Sequence, residues 1–92
     1  MSETLTDNVA RSRFELGTDG ASGFIDYRRS GSTLLLNHAE VPAHLAGQGV
    51  GTRLVRDALD LIRSRGERMV PVCPFINAFI RRYPAYADLS GG

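Results

Sequence analysis

The sequence predicts a single α/β domain (α+β, with a mixed sheet), and three observations support this prediction. Alternating polar and apolar residues in the first half indicate strands joined by turns. Three closely spaced glycines then lead into a stretch with helical periodicity. A further strand follows this helix. Because a strand–helix–strand unit normally makes its two strands parallel neighbours, the last strand should be parallel to an otherwise antiparallel sheet.

The first half predicts an antiparallel meander of three strands. Residues 1–10 are polar and are expected to be a flexible N-terminus, with the single domain spanning residues 11–92. Strands are predicted at residues 13–16 and 23–28, and a longer one at residues 33–41. The last of these is apolar on both faces at its centre, which indicates a central position in the sheet.

The second half predicts the glycine loop, a main helix, a parallel fourth strand and a short C-terminal helix. The main helix should begin at Gly51 and end at Gly66. Residues 68–73 form the fourth strand, beside residues 33–41. Pro74 can start the short helix, which continues to about Arg82, before a Tyr-Pro pair ends it.

Composition excludes several classes of function. The chain has 92 residues, a net charge of +1 and no Lys among its 11 basic residues, so nucleic acid is an unlikely partner. No apolar run is long enough for a membrane span, and the protein is not expected to bind a membrane. The single cysteine and the absence of a signal-type start indicate a cytoplasmic protein. No metal site is predicted, and the oligomeric state cannot be inferred from the sequence.

The glycine loop is the most informative feature of the chain. Gly47, Gly49 and Gly51 alternate with other residues just before the main helix. Glycines let the backbone approach a ligand, and a helix N-terminus supplies unpaired N–H donors and the positive end of its dipole, so an anion is expected here. A P-loop would require Lys after the glycines, and a dinucleotide-binding fingerprint would require a different glycine spacing.

The loop resembles the cofactor loop of the GCN5-related N-acetyltransferases (GNAT), written (Gln/Arg)-x-x-Gly-x-(Gly/Ala). Gly49 and Gly51 match its two glycine positions, whereas Ala46 stands where Gln or Arg is preferred. Several motifs in order resemble the minimal, single-domain branch of this superfamily, over roughly three quarters of the chain. These are His38-Ala39-Glu40-Val41-Pro42, Gly47-Gln48-Gly49-Val50, Pro71-Val72-Cys73-Pro74-Phe75 and Tyr83-Pro84-Ala85-Tyr86.

The resemblance implies acetyl-CoA as cosubstrate. In the superfamily the loop and the helix start hold the pyrophosphate, and the end of the preceding strand aligns the pantetheine arm. An Asn on the last helix contacts the same arm in many members. The corresponding cofactor-binding candidates are Ala39, Val41, Gly47, Gln48, Gly49, Val50, Gly51, Thr52, Arg53 and Asn77. The alternative is that the glycines only form a turn that leads into the helix.

Two candidate proton acceptors lie near the end of the third predicted strand. His38 and Glu40 are two residues apart, so their side chains should share one face. Either can take a proton from an incoming amine, and His has the more suitable unperturbed pKa. Alternatively they form a hydrogen-bonded pair that only stabilises the strand end. His44, in the following loop, is expected to be solvated.

The other catalytic candidates are Cys73 and Tyr83. By resemblance Cys73 lies near the thioester, where it either accepts the acetyl group or lines the pocket; no neighbouring base would activate it, so direct attack by the amine is favoured. Tyr83 or Tyr86 can protonate the leaving thiolate, although both are better explained as aromatic side chains that cover the core at Pro84.

The predicted function is acetyl-CoA-dependent N-acetyltransfer to a primary amine of unidentified nature, on a small molecule or a protein. One alternative is a non-catalytic acyl-CoA-binding module, because only residues 17–22 stand where larger relatives have a helical insertion that shapes the acceptor site. A second alternative is an interaction protein that uses its arginine clusters, although charged faces are usually only solvated.

Overall fold

The computed structural model of the protein describes residues 4–90, without the side chain of Asp19. Within this part of the chain, five strands form one sheet and two α-helices pack against it. Short 3-10 turns lie in three of the six connections between these elements. The elements are β1 (Leu5–Asn8), β2 (Arg13–Leu16), β3 (Gly23–Ser30), β4 (Thr33–Glu40), α1 (Val50–Ser64), β5 (Arg68–Pro71) and α2 (Pro74–Arg82).

The sheet is mixed, as predicted from the sequence. Its strand order follows the chain from β1 to β5; the first four strands are antiparallel, and β5 is parallel to β4. The helix α1 makes the crossover between the two parallel strands, so the fold class is confirmed. The antiparallel meander has four strands, however, which is one more than the sequence predicted.

The additional strand is β1, which lies in the segment predicted to be flexible. Residues 5–8 pair with β2 from Leu5 opposite Leu16 onwards. The carboxylate of Asp7 is 5% exposed, and it accepts hydrogen bonds from the Tyr27 hydroxyl and the Arg65 guanidinium, both at 2.7 Å. The partners of Asp7 lie far along the chain, so nothing in the local sequence indicates them. Residues 1–3 of the predicted flexible segment lie outside the described residues.

The core lies between one face of the sheet and the two helices. The main helix buries Leu54, Val55, Ala58, Leu59 and Ile62, as its helical periodicity requires. The short helix has the predicted bounds, from Pro74 to Arg82. No helix within residues 4–90 is long and apolar enough to cross a membrane.

The strands β4 and β5 diverge at one end of the sheet. Their pairing ends with Leu36 opposite Pro71, and the Cys73 N–H donates to the Leu36 carbonyl at 2.9 Å. The chain then turns into α2 at Pro74, whereas β4 continues to Glu40. The last part of β4 therefore has no neighbouring strand on its β5 side.

Candidate functional site

A cavity of about 410 Å³ lies between the end of β4, the glycine loop and the start of α2. Seven of the ten predicted cofactor-binding residues line it: Ala39, Val41, Gly47, Gly49, Val50, Gly51 and Thr52. The others that line it are Glu40, Leu45, Ala46 and Phe75. The sequence motifs on the strand and on the loop thus belong to one concave surface.

The loop exposes bare backbone to this cavity. Gly47 and Gly49 have φ values of 79° and 78°, in the left-handed region that glycine adopts without strain. A Cβ atom at either position would meet nothing within 4 Å. The loop is held in shape by its own bonds, because the Gln48 side-chain amide donates to the His44 carbonyl at 3.1 Å. The predicted ligand Gln48 thus has a local partner.

The N-terminus of α1 is suited to an anion. The helix begins at Val50, after Gly49 as N-cap, and no side chain caps it. Its first turn contains no acidic residue. The N–H groups at a helix start have no partner within the helix, and the helix dipole favours negative charge there. The loop and helix start therefore fit an anionic group such as a phosphate.

A β-bulge determines which side chains of β4 face the helices. Asp26 pairs with His38 but Tyr27 pairs with Leu36, so Asn37 has no partner across the strand pair. The extra residue reverses the alternation of side chains. Without the bulge, His38 would share a face with Leu36 and lie in the core.

As a result, Ala39 and Val41 pack against the core, and His38 and Glu40 lie on the opposite, open face of the sheet. The two side chains share a face, as predicted. The His38 ring lies 6.0 Å from the Phe24 ring, and no hydrogen bond among those of the described residues joins His38 to Glu40. Glu40 also lines the cavity, so it stands where the open face and the cavity meet.

Cys73 is buried and 5% exposed. Its carbonyl accepts hydrogen bonds from the N–H groups of Ile76 and Asn77, which makes it the N-cap residue of α2. It is not among the residues that line the cavity. Its position beside the thioester therefore remains a prediction.

Two further predicted cofactor ligands have partners within the protein. The Asn77 side-chain amide donates to the Pro71 carbonyl and so ties the start of α2 to the end of β5. Arg53 is 3.6 Å from the Asp57 carboxylate, one helical turn further along α1. Neither residue lines the cavity, and their contact with CoA also remains a prediction.

The two tyrosines after α2 have different surroundings. The Tyr83 ring packs 4.7 Å from the buried Phe79 ring and remains 37% exposed. The Tyr86 hydroxyl donates to the Asp60 carboxylate at 2.7 Å, and this hydrogen bond, with partial burial, raises the pKa of Tyr86. Asp60 is ten residues beyond Val50, or about 15 Å along the helix, so Tyr86 is remote from the glycine loop.

Phe75 lines the cavity but was not among the predicted site residues, although it ends the Pro71–Phe75 motif. It is 46% exposed and forms a wall of the cavity. Its ring also borders a second, smaller groove between α1 and α2. The available signal was an apolar residue just after the predicted helix start at Pro74. Within residues 4–90, no cluster of His, Cys, Asp and Glu side chains could hold a metal ion.

Comparison with known proteins identifies similar chains. A family model described as GCN5-related N-acetyl-transferase matches residues 13–89. The fold is similar to the NMR solution structure of a GCN5-like protein from Staphylococcus aureus, with a TM-score of 0.71 and 22% identity over 94% of this chain and 85% of that one. At this identity the likeness shows the fold alone. No curated protein sequence matches the chain significantly.

Proposed function

Because this chain belongs to the GCN5-related N-acetyltransferases, we propose that it transfers the acetyl group of acetyl-CoA to a primary amine. The observation that supports this proposal best is the cavity, where the bare glycine loop, an uncapped helix start and the free end of β4 meet. A family match leaves the cosubstrate and the acceptor open, whereas this combination favours a ligand with both an anionic and an extended part.

In the proposed complex, the loop binds the phosphates and β4 orients the arm. The N–H groups of Gly49, Val50 and Gly51 donate to the pyrophosphate, because Gly47 and Gly49 leave room for its close approach. The backbone of Ala39 and Val41, beyond the last pairing with β5, aligns the pantetheine arm. When bound, acetyl-CoA supplies an acetyl group activated as a thioester; the amine gains the new C–N bond and loses a proton, and the departing sulfur gains one.

Glu40 is the proposed proton acceptor. It lines the cavity, and its side chain belongs to the open face of the sheet, from which an amine can approach. His38 shares that face but does not line the cavity, so we assign it a secondary role in positioning the acceptor. Proton transfer requires hydrogen-bond reach to the amine, directly or through one water, and Glu40 is better placed for it.

We assign no covalent role to Cys73. A nucleophilic thiol must reach the substrate as thiolate, and Cys73 is 5% exposed. Among the described residues, no acid or base is hydrogen-bonded to its thiol. Direct attack by the amine is therefore the favoured route. Neither predicted tyrosine is favoured as proton donor to the leaving sulfur, because Tyr83 does not line the cavity and the Tyr86 hydroxyl is engaged with Asp60.

The test of CoA binding uses two glycines that share a backbone conformation. Gly49 and Gly66 lie at opposite ends of α1 with φ values of 78° and 68°, and both have open space where a Cβ would stand. Alanine at either position has the same left-handed strain, about 1–2 kcal/mol. Only Gly49→Ala places a methyl group where the phosphates are proposed to bind.

Calorimetry with CoA should therefore show at least a tenfold loss of affinity in Gly49→Ala and no loss in Gly66→Ala. Thermal unfolding of both variants checks that they are equally folded. Equal CoA affinity in the two variants would remove the glycine loop from the binding site. The absence of any CoA binding to the unmodified protein would refute the proposed function itself.

A non-catalytic acyl-CoA-binding module is the second candidate function. It is favoured by the short connections of the meander, since 3-10 turns at Val9–Arg11 and Thr18–Gly20 join the first three strands. Glu40 itself is exposed on the open face of the sheet. An open acceptor side would orient an amine poorly and forfeit much of the gain from proximity. A turnover assay with a panel of primary amines distinguishes an enzyme of low amine specificity from a binding module.

A further inference from the structure

A second groove continues from the glycine-loop cavity along α2. Its volume is about 150 Å³, and it is lined by Thr52, Phe75, Ala78, Phe79, Arg82 and Tyr83. Thr52 and Phe75 line the glycine-loop cavity as well. A ligand whose phosphates lie at the start of α1 can therefore extend directly into this groove.

The groove has one charge and two exposed aromatic rings. Arg82 is its only charged lining residue, and none of the others is acidic. The Arg82 guanidinium lies 5.6 Å from the centre of the Tyr83 ring. Among the described residues Arg82 has no acidic partner, whereas Arg63 is paired with Asp88 at 2.9 Å. An unpaired guanidinium presents several N–H donors, which suits a phosphate group.

Two exposed aromatic rings line the same groove as Arg82. Phe75 is 46% exposed and Tyr83 is 37% exposed, whereas most large apolar side chains of this protein are buried. Exposed rings that line a groove offer flat apolar contacts to a planar base, and a nearby guanidinium adds the recognition of an anion. The combination fits a nucleoside that carries a phosphate.

We propose that this groove binds the 3′-phosphoadenosine end of CoA, with Arg82 as the ligand of the 3′-phosphate. The inference rests on the proposed function, since it requires the pyrophosphate to lie at the glycine loop. It assigns to Arg82 the discrimination between CoA and dephospho-CoA, which differ only in the 3′-phosphate. Phe75 and Tyr83 flank the adenine and recognise its shape, but they do not contact the phosphate.

The experiment compares CoA with dephospho-CoA by calorimetry in three proteins: the unmodified chain, Arg82→Gln and Arg81→Gln. Arg81 is the matched control, because it is the adjacent arginine of the same helix, is exposed and does not line the groove. The unmodified protein should bind CoA about tenfold more tightly than dephospho-CoA, as expected for one charge-assisted contact at a partly exposed site.

Arg82→Gln should lose this preference, because its affinity for CoA should fall about tenfold while its affinity for dephospho-CoA stays unchanged. Arg81→Gln should keep it. The preference of the unmodified protein should also decrease as salt is raised from 50 to 500 mM, since the contact is electrostatic and solvent-accessible. Competition by 3′,5′-adenosine bisphosphate should be weaker in Arg82→Gln than in Arg81→Gln.

Equal affinity of the unmodified protein for CoA and dephospho-CoA would overturn the inference and leave the proposed function intact. Equal losses in the two arginine variants would also overturn it, because the effect would then belong to the general charge of α2. If neither ligand binds the unmodified protein, the proposed function fails, and the assignment of the groove fails with it.

Discussion

The ring of Phe75 lies directly against Gly51, although the two residues are on different helices. A Cβ atom at residue 51 would stand 2.8 Å from the Phe75 Cζ atom, closer than real Cβ atoms approach a neighbour. Gly51 thus allows α2 to bring its exposed phenyl ring over the start of α1. This ring forms a wall of both the glycine-loop cavity and the groove beside Arg82.

Gly51→Ala should weaken CoA binding with little change in stability. The new methyl group displaces the Phe75 ring, which is partly exposed, and alanine gains about 1 kcal/mol of helix propensity. The displaced ring narrows one of the two cavities, so we expect about a tenfold loss of CoA affinity by calorimetry. The unfolding free energy should change by less than about 1 kcal/mol.

The double variant Gly51→Ala, Phe75→Leu tests the cause. Leucine is shorter than phenylalanine and leaves room for the methyl group, so the double variant should bind CoA no more weakly than Phe75→Leu alone. Purely additive losses would show that the contact between the two residues does not mediate the effect.

Asp7→Ala should destabilise the protein by about 2–3 kcal/mol. This carboxylate is almost fully buried and accepts hydrogen bonds from Tyr27 and Arg65, and its loss leaves a buried hydroxyl without its partner. Thr6→Ala, on the exposed face of the same strand, is the control and should change stability by less than about 0.5 kcal/mol. Urea unfolding measures both. Equal, small effects would show that β1 contributes little to the fold.

Tyr27 should make stability depend on pH in the alkaline range. Burial, together with the hydrogen bond to Asp7, raises its pKa from 10.0 to about 12. The folded protein therefore holds this proton more tightly than the unfolded chain, and the contribution, about 2–3 kcal/mol, is complete below pH 10 and is lost as pH rises to 12.

The control for this pH effect is Tyr27→Phe, which cannot titrate at this position. Its unfolding free energy should be lower at neutral pH, because the hydrogen bond to Asp7 is absent, but should decrease less between pH 10 and 12 than that of the unmodified protein. Parallel pH profiles of the two proteins would assign the alkaline loss to other groups.

The elements that the sequence predicted correctly are those with a local signal. Alternation and flanking turn residues identified β2 and β3, an apolar centre identified β4, and Pro74 and Gly66 identified helix ends, because each signal lies within a few residues of the feature it predicts. The strand β1 was missed because its stability depends on Asp7 contacts with residues 20 and 58 positions away. No periodicity indicates a contact of that kind.

In the candidate site, too, the features with a local sequence signal were predicted and the others were not. The glycine loop and the strand end were grouped by motif, and they do line one cavity. The bulge at Asn37 was not predicted, because a one-residue shift in pairing leaves no mark on composition, yet it determines that Ala39 packs against the core and that His38 does not. Phe75 was missed because its importance lies in its contact with Gly51, across two helices.

Glu40→Gln should reduce turnover more than CoA binding. Glutamine keeps the shape of the side chain but cannot accept the proton of an incoming ammonium group. We expect at least a tenfold loss of turnover at pH 7, which should decrease toward pH 10, where a much larger fraction of the amine is neutral. His38→Ala should give a smaller loss, since His38 does not line the cavity. A pH-independent defect in Glu40→Gln would argue for a positioning role.

Cys73→Ala should retain most of the turnover. The thiol is buried among core residues, and its backbone rather than its side chain caps α2, so alanine should preserve the fold at a cost of about 1 kcal/mol. If the amine attacks directly, the rate should fall less than threefold, and CoA affinity by calorimetry should be unchanged. An obligatory carrier would instead lose turnover by orders of magnitude.

Mass spectrometry of the unmodified protein mixed with acetyl-CoA provides the complementary measurement. An acetylated Cys73 that discharges to the amine as fast as the enzyme turns over would establish the covalent route and overturn direct attack.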